Sequence, residues 1–520
     1  MAVSVLVVVL AGCGLLPERG RSRPRVRGQV TVGLADLVPL DPARATSDGA
    51  MTLLATACQG LLSLDPQHGT PRADLADRWD LAQGARRMTL RLREGIRFSD
   101  GRPVDADAVV ESLTRVARPE AASPWAHLLQ PVAGFAELQA GASPRLEGVR
   151  ATGPRTVEIE LTQPLSDLPA ILAHPALVPV SVSASIRDPE GFNRRPVCSG
   201  PYRFRAAPGE QDALLEWWPG GVDGSSPAPA RIAVRGFDSV DEAYEAFERG
   251  EVDVAALPEG RAGGGLPQGV GVLRRGTLEV TYLAFDTAKP PVNDPRLRRA
   301  VSLAINRLAI VDAAFGDRRE PALRWLAGPG GTSGCATSAE IVAEPERAKQ
   351  ALGDIATTGV RLPLVVPASG VGRLVAQALQ VQIEEVLGLD VAAQVVDDPA
   401  LQASLADRAA AGWLLTAGPD IPVPGRLLSS VAGTGGPANP LGFSDAELDR
   451  LLARAQASGE PQERERLLEQ AEAAACELMP AVPLWKSVRH YAYRPGKIRI
   501  EGEPAQDVFG RLLLRLAHPR

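Results

Sequence analysis

Aromatic residues make up only 4% of this 520-residue chain, histidine occurs five times and cysteine five times, and only four of the 56 basic residues are lysines (Lys289, Lys349, Lys486, Lys497). Each scarcity narrows the function. The histidines (His68, His127, His174, His490, His518) are scattered and none falls in an HExxH pattern, so a histidine-built metal site has no support. Neither Gly-x-Ser-x-Gly nor Ser-x-x-Lys occurs, which removes the common serine-nucleophile signatures. Basic residues are outnumbered by 62 acidic ones, and a net charge of −6 gives no electrostatic footprint for nucleic acid. Nothing in this inventory argues for an enzyme or a cofactor. With 45% hydrophobic and 23% charged residues, the composition is that of folded protein, long enough for two or three domains.

No stretch reaches the roughly 20 apolar residues that span a bilayer. The longest uncharged apolar run, Ala2 to Leu10, fits the core of a secretory signal, and Leu10-Ala11-Gly12-Cys13 resembles the lipobox of bacterial lipoproteins. The expectation is a signal peptide over residues 1–12, diacylation of Cys13, and a Pro/Gly/Arg-rich tether over 13–27 that leaves the folded part on the outer face of the cytoplasmic membrane. The apolar run has no Lys or Arg before it, which points to a start upstream of Met1. Outside the cytoplasm disulfides persist. Four cysteines remain, Cys58, Cys198, Cys335 and Cys476, at no metal-ligand spacing. Pairing Cys58 with Cys198 and Cys335 with Cys476 keeps each bridge within one half of the chain; four unpaired buried thiols is the alternative.

Hydrophobic periodicity gives a mixed pattern. Val30, Val32 and Leu34 alternate with smaller residues, as do Met88–Arg93 and Thr156–Leu161, predicting strands with one wet face. Ser239 with Glu242 reads as a capping box, for a helix running to 248 or 249 with Gly250 at its end and a strand over Val252–Leu257. Asn293-Asp294-Pro295 opens another helix, with Leu297, Ala300, Val301, Ala304, Ile305, Leu308 and Val311 on one face. A helix over Val371–Leu387, a strand over Val391–Val396, a capping box at Ser444 with Glu447, and a helix from Pro461 to about Leu478 follow. The carboxylates Asp105 and Asp107 sit at a helix start, where capping explains them, and the loop Gly328–Gly334 lacks the Lys-Ser/Thr ending of a phosphate cradle. Helix and strand alternate on both sides of residue 275, predicting two α/β lobes with a cleft between them, where small ligands bind.

Several segments together carry a resemblance: Gln59–Pro66, Ala73–Trp79, Leu90–Pro103, Pro196–Tyr202, Tyr282–Thr287, Asp294–Asn306, Phe443–Asp449 and Pro480–Trp485. In this order and spacing the chain resembles the family 5 extracytoplasmic solute-binding proteins, which serve ABC importers of peptides, nickel and some sugars. The resemblance implies a two-lobe periplasmic-binding-protein-like α/β fold. It places lobe I at residues 28–62, 174–272 and 487–520, an inserted subdomain at 63–173, lobe II at 273–486, and hinge crossings near 272 and 487. It further implies a monomer that closes on a small peptide-like ligand and docks on permease subunits.

The implied ligand residues transfer less completely. In peptide binders of the family a Trp-x-x-Asp stretch supplies the carboxylate for the ligand's amino group. Here Trp413 matches and Thr416 stands at the carboxylate position, and a threonine cannot replace a charge. Asp420 either takes over by a shift in position or caps the next turn. Asp286 replaces the usual Asn after the strand aromatic and adds a possible cleft carboxylate, Trp413 and Trp485 are candidate ring contacts, and Asp48 completes the candidate set. The main expectation is an oligopeptide-binding importer component. The alternative, which Thr416 favours, is a non-transport lipoprotein on the same fold, acting as a regulator or scaffold in envelope synthesis as some actinobacterial relatives do.

Overall fold

The computed structural model describes residues 28–220, 229–258, 268–325, 341–423, 425–500, 506–507, 511–512, 514 and 517–519. The signal peptide, Cys13, the tether, the Gly328–Gly334 loop and Cys335 therefore lie outside the described residues. Among those described, strands and helices alternate, and no helix is long and apolar enough to cross a membrane.

Two long antiparallel strands, Gly271–Phe285 and Ala481–Tyr493, form the axis of the molecule. At one end, Val254–Ala256 pairs with 491–493 and leads to Gln29–Ala35, Arg231–Phe237, Ala213–Trp217 and Tyr202–Arg205. At the other end, Gly412–Ala417 pairs with 280–285 and leads to Arg361–Pro367 and Asp390–Val396. A register shift between Gly276 and Val280 separates the two halves, and Arg319–Pro321 pairs along 485–487 beside it. The result is one sheet shared by two lobes, with helices covering it.

The buried residues gather in separate cores. One core collects Val30–Cys58, Val178–Val234 and Tyr491; a second spans Val280–Trp485. A third belongs to the segment that interrupts the first core between Cys58 and Val178, where Ala76–Ala82, Arg87–Leu92, Thr156–Glu160 and Val149–Gly153 make a four-stranded antiparallel sheet. Two residues of the larger lobe, Ile421 and Val423, join this third core. The alternating stretches identified in the sequence are neighbours here, with Leu90 opposite Val157.

Local signals translate into caps. Ser239 accepts from the Glu242 N–H for the helix Val240–Glu248, and Gly250 follows with φ +76°. Asp294 caps Pro295–Ala304, and Asp105 caps Ala106–Ala117. Two expectations need correction. The helix from Pro295 does not run on to Val311: Asn306 caps a new helix, Arg307–Ala314, and donates its backbone N–H to Gln382. That break shifts the phase, so Leu308 is 40% exposed while Ile310 and Val311 are buried. The second is the Ser444 cap. Asp445 accepts the Leu448 N–H instead, because the Ser444 hydroxyl is engaged by Thr434.

The bridge Cys58–Cys198 is formed, with Cα atoms 5.4 Å apart across 140 residues of sequence. It joins the end of the helix Asp48–Ala57 to the segment before Tyr202. Next to it Gly200 adopts φ +150° and lies so close to the Ala57 carbonyl that any Cβ would collide. For the second expected bridge, Cys476 is buried in the larger lobe, and Cys335 lies outside the described residues. Replacing Cys58 and Cys198 by serine is expected to destabilise the protein by up to about 5 kcal/mol, the chain-entropy value for a loop of this length, read by denaturant unfolding under oxidising conditions.

Candidate ligand-binding cleft

The strand Ala481–Tyr493 is apolar and buried along most of its length, which makes a charge inside it costly unless paired. Lys486 is one such charge and Arg489 the other. Its guanidinium donates from Nη2 to Glu279 Oε1 at 3.0 Å and from Nη1 to Asp48 Oδ2. Burial alone would lower the Arg489 pKa, but Asp48 and Glu279 reverse this and hold it above the ordinary arginine value. Asp48 is the first residue of a helix capped by Ser47 in the N-terminal core. Glu279 sits in the irregularity between Gly276 and Val280, at the seam of the two lobes. Arg511 approaches Asp48 from behind at 3.8 Å. One arginine thus ties a carboxylate from each lobe.

A second charged pair lies on the loop after Gly412–Ala417. Gly418 packs against Glu279, since a Cβ there would stand 3.0 Å from Glu279 Cγ. Two residues on, Asp420 Oδ2 is 2.9 Å from His127 Nε2, across the gap to the inserted subdomain. The hydrogen bond from His127 holds the Asp420 carboxyl below its ordinary range, and the same bond raises His127 above 6.5. Beside them His174 packs on Trp125 with ring centroids 4.4 Å apart, and Trp125 Nε1 donates to the Ala45 carbonyl at 2.7 Å. His174 is buried, which drives its pKa down to about 3; Arg511 pushes it the same way and Asp420 opposes. His174 therefore stands between the two charged clusters as a neutral ring, accepting the Ala176 N–H at Nδ1. The loop is also anchored apolarly, because Ile421 and Val423 are only 1% and 8% exposed within the core of the inserted subdomain.

The remaining candidates separate. Thr416 is exposed near this loop, and its hydroxyl is 2.8 Å from that of Thr281. Trp413 is 0% exposed: it faces the core and donates its indole N–H to Ser404 at 2.8 Å, so it offers no surface to a ligand. Trp485, 2% exposed, packs on Phe315 at 5.2 Å and is likewise core. Asp286 is fully buried five residues beyond Thr281, about 17 Å further along the strand. There Arg408 donates to it at 3.2 Å and Lys289 lies 3.6 Å away, which makes it a loop anchor rather than a cleft carboxylate. Of the six expected ligand residues, Asp48, Thr416 and Asp420 border the seam; the other three do not.

His127, Glu279, Arg489 and Arg511 were not singled out in the sequence. Arg489 carried a signal, being a charge within the apolar run Ala481–Tyr493. His127 carried none, because its partner is 293 residues away. With no group of three or more metal-ligating side chains among the described residues, the seam offers paired charges of both signs, suited to a ligand that itself carries both.

This lobed sheet with a charged seam defines a two-lobe solute-binding protein. The chain belongs to the bacterial extracellular solute-binding proteins, family 5, whose description ("family 5 Middle") matches residues 70–439. It is 28% identical over 287 residues to the probable deoxycholate-binding periplasmic protein YgiS of Escherichia coli (strain K12), covering 54% of this chain and 53% of that one. It spans about half the length of that relative. With the probable ABC transporter periplasmic-binding protein SapA of the same organism it shares 26% identity over 485 residues, covering 87% and 86%. Among solved structures, the unliganded open form of the periplasmic murein tripeptide binding protein MppA superposes with a TM-score of 0.82 at 21% identity, covering 95% of this chain and 97% of that one. Members of the family are extracytoplasmic binding proteins rather than enzymes.

The His127–Asp420 pair sets a pH window. His127 is raised, so its contribution is complete below its ordinary 6.5 and lost as pH rises through the raised value. Asp420 is depressed, so its contribution is complete above its ordinary 3.8 and lost as pH falls through the lowered value. The melting-temperature difference between the wild type and His127→Gln is therefore expected to be largest near about pH 5.5 and to shrink by about pH 8.5. Thermal scans across that range check it; a difference that grows toward alkaline pH would contradict the pairing.

Proposed function

We propose that this chain is the solute-binding component of an ABC importer, held on the outer face of the cytoplasmic membrane through a lipid on Cys13, and that it closes its lobes on a small peptide-like solute. The observation that carries this reading is that Arg489 ties Asp48, from the N-terminal helix, to Glu279, at the interruption of the shared strands, with the Asp420–His127 pair as a second bridge to the subdomain. A zwitterionic solute exchanges its own charges for these internal pairs and so gains most when the two lobes meet around it. The pivot of closure is the irregularity at residues 277–279, where the two long strands change register. The names of SapA, an ABC transporter binding protein, and MppA, a tripeptide binder, support the importer and the peptide; the name of YgiS shows that ligands in the family extend to a bile acid.

A second reading, a regulator or scaffold lipoprotein on the same fold, is favoured by one contact. Opening the lobes on the side of the inserted subdomain would expose Ile421 and Val423, at a cost of roughly 3–6 kcal/mol for two such side chains. A protein whose lobes stay joined there has less need of a ligand.

Native mass spectrometry of the purified chain after mild unfolding and refolding, against peptide and glycan pools, separates the readings. The importer reading expects a retained solute and a ligand-dependent decrease in radius of gyration by X-ray scattering; retention of nothing with no compaction would sink it. For the anchor, Cys13→Ser is expected to move the protein from the membrane fraction to the soluble fraction, and persistent membrane attachment would rule out the lipobox.

A further inference from the structure

A cavity of about 230 Å³ lies beside the seam, between residues 127–171 of the inserted subdomain and 418–456 of the larger lobe. One wall is the helix Arg426–Ala432. Its Leu427, Leu428, Val431 and Ala432 are buried in the core of the larger lobe, whereas Arg426, Ser429 and Ser430, at i, i+3 and i+4, share the opposite face and line the cavity. Gln130 and Gln163 line it from the subdomain and Gln456 from the larger lobe.

These polar groups are unspent. Among the described residues, the side chains of Arg426, Ser429, Ser430, Gln130, Gln163 and Gln456 make no hydrogen bond or ion pair with the protein. The two carboxylates that feel the Arg426 charge each have a nearer partner: Asp420 is bonded to His127 at 2.9 Å, and Asp167 to Arg464 at 3.1 Å. Arg426 is thus a half-buried guanidinium with its whole donor fork free, facing two hydroxyls and three amides.

We propose that this cavity seats the carboxylate of a small amino-acid-type solute, a single amino acid or a dipeptide, with the Arg426 fork taking both oxygens and Ser429, Ser430 and the glutamine amides completing the hydrogen bonds. This deepens the solute-binding reading and rests on it. A planar carboxylate matches the fork of an arginine. A dianionic phosphate would crowd Asp420, which lines the same cavity, while a single negative charge suits the one free guanidinium of Arg426. The volume is about 230 Å³. It falls below the roughly 300 Å³ at which drug-sized pockets begin, so long peptides do not fit inside it. Because the walls come from both the subdomain and the larger lobe, an occupant touches both sides of the gap.

Calorimetric titration of the purified chain with glycylglycine, its C-terminal amide and its N-acetyl derivative tests this. The free acid is expected to bind, the amide at least about tenfold more weakly, and Arg426→Gln to bring the acid down to the level of the amide. Arg426→Lys, which keeps the charge and loses the fork, is expected to fall between them, and Arg347→Gln, at an exposed pair with Glu344 outside the cavity lining, to bind as wild type. Unfolding temperatures of the Arg426 variants equal to that of the wild type show that the fold is intact; should Arg426→Gln fail to fold, Arg426→Lys and the acid-to-amide comparison on the wild type decide. Equal binding of acid and amide, or of wild type and Arg426→Gln, would overturn the proposal. If no probe binds the wild type while native mass spectrometry retains a different solute, this inference falls and the solute-binding reading stands; if nothing is retained, both fall.

Discussion

The pairing of Gly271–Phe285 with Ala481–Tyr493 is the constraint from which the rest follows. Two strands that each run through both lobes leave the lobes joined by hydrogen-bonded backbone rather than by loose linkers. The ladder is interrupted at residues 277–279 opposite Ser487, and again between Thr281 and Tyr282. Strands resist stretching but tolerate twist and bending at irregularities. The Arg489–Glu279 pair is placed by the first interruption: Glu279 lies in it, Arg489 beside it, and Gly418 packs against Glu279.

The chemistry of the seam is one of mutual satisfaction. Arg489 is buried enough that its charge needs carboxylates, and it takes them from separate cores. His127 does the same for Asp420 across the gap to the subdomain. Part-exposed ion pairs of this kind contribute little net stability, because solvent screens the attraction. They fix which surfaces meet more than how tightly they meet. His174, neutral between them, keeps a third charge out of the same space.

Much of the fold was legible because it is written in short-range terms. The caps at Ser239, Asp294 and Asp105 and the alternation in Met88–Arg93 and Thr156–Leu161 need only neighbours within a few residues. Where a local signal failed, a distant group intervened, as Gln382 does at the Asn306 break and Thr434 at Ser444. The site was less legible. Asp48, Thr416 and Asp420 border the seam, but Trp413, Trp485 and Asp286 belong to the interior of the larger lobe, since a sequence gives no direction in which a strand residue points once both faces are covered. The partners of Arg489 and His127 are hundreds of residues away, beyond any periodicity.

The Cys58–Cys198 bridge encloses the whole inserted subdomain within one covalent ring, since the chain leaves the N-terminal core after Cys58 and returns before Cys198. A single cut anywhere in that excursion leaves both ends attached, so the subdomain carrying His127, Trp125 and its share of the cavity cannot be shed by one proteolytic event. The segment whose nicking costs no chain is thereby the one that carries the four-stranded sheet.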